Sequence, residues 1–363
     1  MRIPLVQLAE VRLADIQTAV LGGGLQSLPP PDSGVKGPEF LQAWAAKVCA
    51  RVKDGSGSKS RVYKNSGVQM SHVLLTGATG YVGAFILGRL LRDYPDVRVC
   101  CVARAKGEVS AAERVQQALS YYRLLDQPEI HTSSTAAPGP KAMARVEVLD
   151  GDLSQPELGL SAADWERLGE RIDTVYHSGA IVNAVHPLSF IAGANVNGTL
   201  TLVNFCLRNG AALHHISTLS LLPGDKRERP LVPAPAATAT AYAKSKWLAE
   251  QVVWRGVDLG LRARVYRLGT MAADSTTGAC NPNDSFVRIA SGLAGLGASC
   301  DTLDTPVPTV YYLAPVDWAV GGVVAASVLP HGGDKGEMIG HIGARQPTTL
   351  RQVRLDIANV SSL

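Results

Sequence analysis

Residues 72–94 read HVLLTGATGYVGAFILGRLLRDY. The first five residues are an apolar, β-branched run. The last eleven carry Phe85, Ile86, Leu90 and Leu91 at helical spacing, and between them lie three glycines, Gly77, Gly80 and Gly83. Strand, glycine turn and helix in this order leave the backbone amides at the helix start free to face a pyrophosphate, because the first turn of a helix has N–H groups without intrahelical partners. Gly77 and Gly80 let phosphates approach the backbone. Thr76, Thr79, Tyr81, Val82 and Gly83 complete the expected cofactor turn.

Outward from this unit the pattern repeats. Short apolar runs VRVCCVA (97–103), RVEVLDGD (145–152), DTVYHSG (173–179), ALHHIST (212–218) and RVYRLG (264–269) alternate with helical patterns. Strands that are apolar nearly throughout and separated by helices predict a parallel sheet covered on both faces, a doubly wound α/β domain. After about Thr270 the order breaks into Gly-, Pro-, Asn- and Asp-rich loops, one apolar helix, a last strand EMIGHIG (337–343) and a terminal helix. These predict a smaller C-terminal substrate lobe over 271–363, at the sheet's carboxyl edge. Upstream, residues 4–21 have helical periodicity. Residues 23–70 have linker composition, GGG, PPPD and DGSGSKS, around one short helical candidate from Glu39 to Val52.

Composition removes several classes. A chain of 363 residues with 46% hydrophobic and 18% charged residues is a folding globular sequence. Its formal net charge of +4 comes without a basic run, which argues against nucleic-acid binding. The six cysteines form no C-x-x-C and have no histidines at ligand spacing, so no metal site is expected and reduced, buried thiols are. Residues 1–25 lack an apolar h-region between their charges. The longest apolar stretch, Ala319–Leu329, is shorter than the roughly 20 residues that span a bilayer. A cytoplasmic protein without membrane insertion is the expectation, and the Asn197-Gly198-Thr199 sequon carries little weight inside a helix start.

Two further positions bear on the cofactor. The second strand ends Ala103-Arg104-Ala105-Lys106, where an NAD-binding domain offers Asp or Glu to the ribose; Arg104 instead favours the 2′-phosphate of NADPH. Asp152-Leu153 closes the third strand, placed to meet the adenine, though a capping Asp is an equally ordinary reading. For the chemistry, Tyr242 and Lys246 stand four apart in a helical stretch, AYAKSKWLAEQVV, and share one face. An ammonium near a phenol lowers the phenol pKa, so that Tyr242 can give a proton to a developing alkoxide; Lys246 can also hold the nicotinamide ribose. The fifth strand ends Ile216-Ser217-Thr218-Leu219-Ser220, and Thr218, with Ser220 in reserve, is the hydroxyl placed to donate to a carbonyl under reduction.

TGATGYVG, VARA, GDLSQPELGLS, VYHSGAIVNAV, NVNGT, ISTLS, YAKSKWLAE, YRLGT and APVDW, in that order from about residue 71 to 345, resemble the extended short-chain dehydrogenase/reductases. Within them the chain is similar to thioester reductase domains of non-ribosomal peptide synthetases, aminoadipate reductases and carboxylic acid reductases. The resemblance implies a Rossmann-type NADP-binding domain over 71–270, Thr218, Tyr242 and Lys246 as the catalytic set, and hydride transfer from NADPH to an acyl thioester. The product is an aldehyde, which a second NADPH could reduce to an alcohol in the same site; the sequence leaves one round and two rounds open. The partner it implies is an acyl-loaded phosphopantetheine carrier protein or domain, and residues 1–22 look like the last helix of such a domain. Family members usually continue for several helices beyond the strand matching EMIGHIG, so the substrate lobe is expected to be truncated. The alternatives are a fatty acyl-CoA reductase, another extended-family dehydrogenase or epimerase, and a non-catalytic NADP-binding protein.

Overall fold

The computed structural model describes residues 38–53, 70–125, 140–183, 185–222, 233–296, 310–329 and 338–344, together with 346, 348, 349 and 352. The helix expected over 4–21 and the terminal helix expected after residue 343 fall outside the described residues.

The central sheet contains β1 (His72–Thr76), β2 (Arg98–Ala103), β3 (Val146–Asp150), β4 (Thr174–His177), β5 (Ala212–Thr218), β6 (Ala263–Leu268) and a later strand, β10 (Ile339–Ile342). All pair in parallel, in the order β10-β6-β5-β4-β1-β2-β3. The strand order reverses at β1, whose Thr76 lies beside His177 at the end of β4. A ligand crevice forms outside the carboxyl ends at such a reversal, because the connections leave in opposite directions there.

Successive side chains of β1 alternate between two cores: Leu74 packs on one face, Val73 and Leu75 on the other. The first face is covered by α1 (Pro38–Cys49), α4 (Ala162–Arg171), α5 (Leu188–Asn209) and α6 (Ala241–Asp258). The second is covered by α2 (Tyr81–Asp93), α3 (Ala111–Tyr121) and α8 (Val316–Ser327). Local chemistry starts these helices. Ser110 and Glu113 form a reciprocal capping box on α3, Ser161 caps α4, and Thr240 accepts from the Ala243 amide at the head of α6. Helix α5 ends at Gly210 in the left-handed region, at φ +68°.

Two stretches sit elsewhere than composition places them. α1 falls within the linker composition of 23–70, yet Leu41, Trp44, Ala45 and Val48 are buried in the same core as Trp247 and Trp254 of α6. The Lys53 amide, just past the helix, donates to the Asn204 side chain of α5. Downstream, α8 and β10 are parts of the main sheet layer and not of a separate lobe, so residue 270 is not a layer boundary. α8 is apolar on nearly every side and therefore buries against α2, and β10 extends the sheet beyond β6. What remains outside the layer is β7 (Thr270–Ala272) paired with β9 (Leu313–Pro315), β8 (Val310–Tyr311) paired with residues 348–349, and α7 (Ser285–Leu296).

Among the described residues one helix, Leu188–Asn209, is long and apolar enough to cross a membrane, and 67% of its apolar window is buried inside the fold. Cys100, Cys101 and Cys206 are buried, and burial pushes the Cys100 thiol up to about 12.

Candidate active site

The glycine turn works through atoms it lacks. Gly77 sits at φ +82°, a conformation that L side chains rarely adopt, and a Cβ there would lie 2.6 Å from the Gly179 nitrogen. At Gly83, on α2, a Cβ would come within 2.1 Å of the Gly77 carbonyl oxygen. The Gly80 amide donates to that same oxygen at 2.9 Å, and no side chain caps the start of α2. Its first amides are thereby left for a ligand, and the closed backbone packing around them is a cradle that any side chain at 77 or 83 would fill. These residues fit a dinucleotide pyrophosphate.

The structure gives the other cofactor candidates distinct duties. Tyr81 donates its hydroxyl to the carbonyls of Ala272 (2.8 Å) and Ala279 (3.0 Å), tying the head of α2 to the segment after β6. The Thr76 hydroxyl is held inward by the Gly179 amide and the His177 ring. Thr79 and Val82 are half-buried around the turn. Arg104 is 59% exposed and its guanidinium lies 3.4 Å from Asp152. Burial alone would raise the Asp152 pKa, but hydrogen bonds from Ser154 and the charge of Arg104 bring it below the ordinary carboxylate value. Leu153 closes in on Gly179 and Gly198, where added Cβ atoms would strike it at 2.6 Å and 2.8 Å.

Helix α6 carries Tyr242, Lys246 and Glu250, four residues apart on one face, and Lys246 and Glu250 meet the end of β5. Lys246 is 3% exposed; its ammonium donates to the Ile216 carbonyl at 2.6 Å and lies 3.3 Å from His215 Nε2. Burial pushes its pKa down to about 8, partly offset by Glu250. The sequence expectation that Lys246 lowers the Tyr242 pKa is not what the geometry gives, because the ammonium is committed to β5 and burial pushes the phenol up to about 12. A phenol held protonated remains a proton donor, the form a general acid needs. Thr218 caps the turn Leu219–Leu221: its oxygen accepts from the Ser220 amide and lies 3.1 Å from the Ser220 hydroxyl. Thr218 is buried and Ser220 exposed, so Thr218 donates to a substrate only after releasing Ser220.

Several residues that the sequence offered no role complete the site. Glu250 and Arg267, each 0% exposed, pair through Arg267 Nη2 to Oε2 at 2.6 Å and Nε to Oε1 at 2.9 Å, and Ser217 adds its hydroxyl to Glu250 Oε1. His341 of β10 lies 3.3 Å from Arg267 Nη1. In α5 the helix widens to a π-turn over Gly193–Asn197, which turns buried Asn195 toward the loop after β4: its side chain accepts from the Ile181 amide and donates to the Ile181 carbonyl and to Ser245 Oγ on α6. The signals were present as VYHSGA and NVNGT, but a buried hydrogen bond leaves no spacing rule by which to find it. Among the described residues, no three His, Cys, Asp or Glu side chains cluster as metal ligands.

Comparison with known proteins gives the family and the fold. The profile of an NAD-binding family described as male sterility protein matches residues 75–323. The chain is similar to one of the subunits of linear gramicidin synthase from Brevibacillus parabrevis, 34% identical over 280 residues, covering 74% of this chain and 5% of that protein. It is also similar to the L-2-aminoadipate reductase large subunit of Penicillium chrysogenum, 30% identical over 277 residues, covering 71% of this chain and 18% of that one. Among solved structures, the terminal R domain from the myxalamid PKS-NRPS biosynthetic pathway superposes with a TM-score of 0.68 at 29% identity, covering 84% of this chain and 74% of that chain. The chain thus spans less than a fifth of the length of these two curated relatives.

Proposed function

Because the chain belongs to the NAD-binding male sterility protein family, we propose that it is an NADPH-dependent reductase that releases a carrier-bound acyl thioester as an aldehyde. The observation that carries this reading is the glycine turn, whose backbone leaves room for a pyrophosphate, and Tyr242 stands on the first turn of α6, one helical turn before the Lys246 that is fixed on β5. The reductase domains and the aminoadipate reductase that the chain resembles support the same reading.

When bound, NADPH supplies the hydride. The chain's residues hold and orient. The turn Gly77–Gly83 takes the pyrophosphate on backbone amides, and Arg104, exposed at the end of β2, is the group for a 2′-phosphate. Asp152 and Leu153 border the adenine side. Tyr242, protonated at neutral pH, delivers a proton or hydrogen bond to the oxyanion formed at the thioester carbonyl, and Thr218 adds a second donor from β5. Lys246, fixed by Ile216 and His215, would supply positive charge to hold the nicotinamide ribose. Collapse of the oxyanion breaks the C–S bond, releases the phosphopantetheine sulfur as a thiolate that takes up the proton Tyr242 carries, and leaves the aldehyde.

The test is NADPH consumption with an acyl-pantetheine or acyl-carrier thioester, with product analysis for thiol, aldehyde and alcohol. Turnover that Tyr242→Phe abolishes supports the reading. NADPH binding without turnover on any thioester would leave a dinucleotide-binding protein and overturn it.

A further inference from the structure

The buried hydroxyls around His177 settle which of its nitrogens carries the proton. Thr199 has one hydroxyl proton and gives it to the Asn195 carbonyl, at 2.7 Å. Its contact with His177 Nε2 at 2.9 Å therefore requires Nε2 to be the donor. In a neutral ring Nδ1 is then an acceptor, and the group that donates to it is Thr76, 2.8 Å away. The Thr76 oxygen in turn accepts from the Gly179 amide at 3.2 Å. Asn195 continues the run on its other side: its amide donates to Ser245 Oγ (2.9 Å), and Ser245 donates to the Tyr242 carbonyl (2.8 Å). Each hydroxyl both accepts and donates, so every bond has a fixed direction.

We propose that His177 is a positioning residue whose single tautomer, Nε2–H, sets an oriented hydrogen-bond run from the Thr76 hydroxyl, next to the glycine turn, through the π-turn of α5 to the backbone carbonyl of Tyr242, so that seating a dinucleotide diphosphate at Gly77 fixes the backbone that carries the proton donor on α6. The proposal rests on the reading of Tyr242 as that donor. Every member is buried or half-buried: His177 and Asn195 are each 1% exposed, Thr76 and Thr199 are 0%, and Ser245 is 0%. In a medium of low polarity, hydrogen bonds in series, here from Gly179 to the Asn195 main-chain carbonyl, reinforce one another, and a missing partner is costly; Asn195 itself joins this series to Ser245 through its side-chain amide. The ring stays neutral through the working range, because burial, with the Lys246 ammonium adding to it, pushes the His177 pKa down to about 3. The groups facing His177 from its neighbours are Thr76 of β1, Thr199 of α5, His215 of β5 and, beyond His215, Lys246 of α6. None offers the carboxylate that would hold an imidazolium.

Thr199→Val removes the hydroxyl that accepts from His177 Nε2 and donates to the Asn195 carbonyl, at nearly constant shape; Thr199→Ser keeps it. In 15N-histidine-labelled protein, the wild type is expected to show His177 as neutral Nε2–H with a slowly exchanging ring proton, perturbed on addition of NADPH. The slow proton is lost in Thr199→Val and kept in Thr199→Ser. With substrate, Thr199→Val lowers kcat about tenfold while the NADPH Kd moves by no more than about twofold, and Thr199→Ser restores kcat. Ser245→Ala, at the far end, lowers kcat while leaving the His177 signature intact. An Nδ1–H tautomer, a slow ring proton that survives Thr199→Val, or parallel losses in kcat and NADPH binding would overturn the relay. A wild type that binds NADPH and reduces no thioester would sink the functional reading alone, because tautomer and proton exchange decide the relay without turnover.

Discussion

Between Gly77 and Gly83 the room for a ligand comes from missing side chains. On α6, Tyr242, Lys246 and Glu250 are side chains that burial penalises. The turn is held by local backbone contacts, Gly80 to Gly77 and Ala84 to Gly80. The helix face is held by partners distant in sequence, Ile216, His215, Ser217 and Arg267. The turn needs only space and correct dihedral angles. The helix face needs every buried charge to meet a partner, and one missing partner exposes the rest.

The largest effect should therefore lie on the helix side. Glu250→Ala leaves the Arg267 guanidinium buried at 0% exposure without its carboxylate, a change expected to cost about 3–5 kcal/mol in urea unfolding. Replacing both partners with apolar residues, Glu250→Leu with Arg267→Met, should cost less than Glu250→Ala alone, since no unpaired charge remains. A double variant as unstable as the single one would mean that packing, not charge pairing, holds α6 against β6.

On the turn the penalty is steric and smaller. Gly83→Ala puts a methyl group within 2.1 Å of the Gly77 carbonyl, and relief has to come from the backbone; about 1–3 kcal/mol and most of the NADPH affinity should be lost. Gly292 in α7, with nothing within 4 Å of an added Cβ, is the control: Gly292→Ala should stabilise by about 0.4–1 kcal/mol. Equal responses at the two glycines would show that close packing does not define the turn.

The same contrast governs what could be read from the sequence. The glycine turn and the order of strands were legible because their causes are local: an apolar run, a glycine, a helical period. Tyr242 and Lys246 were legible as a spacing, and the structure does place them on one helix face. Their electrostatics were not legible, because Ile216 and His215 capture the Lys246 ammonium from another strand. The roles of His177, Asn195, Glu250 and Arg267 depend on contacts across 14 to 101 residues. The helical candidate Glu39–Val52 and the apolar helix after residue 315 were legible as helices, but Trp44 and Val48 of α1 carry no local sign that α6 will cover them, and the apolar character of α8 signals burial without saying under which layer.

Lys246 offers a measurement between the two regions. Its buried ammonium is held down to about 8 against an ordinary 10.5, so its charge is present below pH 8 and lost as the pH rises through that value. The profile of kcat/KM reports the free enzyme, and its basic limb should fall about tenfold per pH unit above about 8. Lys246→Arg, which stays protonated, should lose rate at all pH values and show no such limb. A wild-type limb near the ordinary lysine value would mean that the ammonium is more solvated than its 3% exposure indicates.

Arg104 should give the smallest change, and one confined to the cofactor. Its side chain is 59% exposed, and its pairing with Asp152 at 3.4 Å lies in the range where solvent and salt leave about 0–1 kcal/mol. Arg104→Ala should therefore leave unfolding unchanged within about 0.5 kcal/mol. A weak existing partner also makes the guanidinium cheap to re-aim at a 2′-phosphate, where a charge-assisted, two-pronged contact is stronger than its contact with Asp152. NADPH binding should weaken about tenfold, near 1.4 kcal/mol, while NADH binding changes by less than about twofold. Equal losses for both dinucleotides would assign Arg104 to the shape of the strand end rather than to the phosphate, and the choice of NADPH would then have to come from elsewhere along the edge of β2.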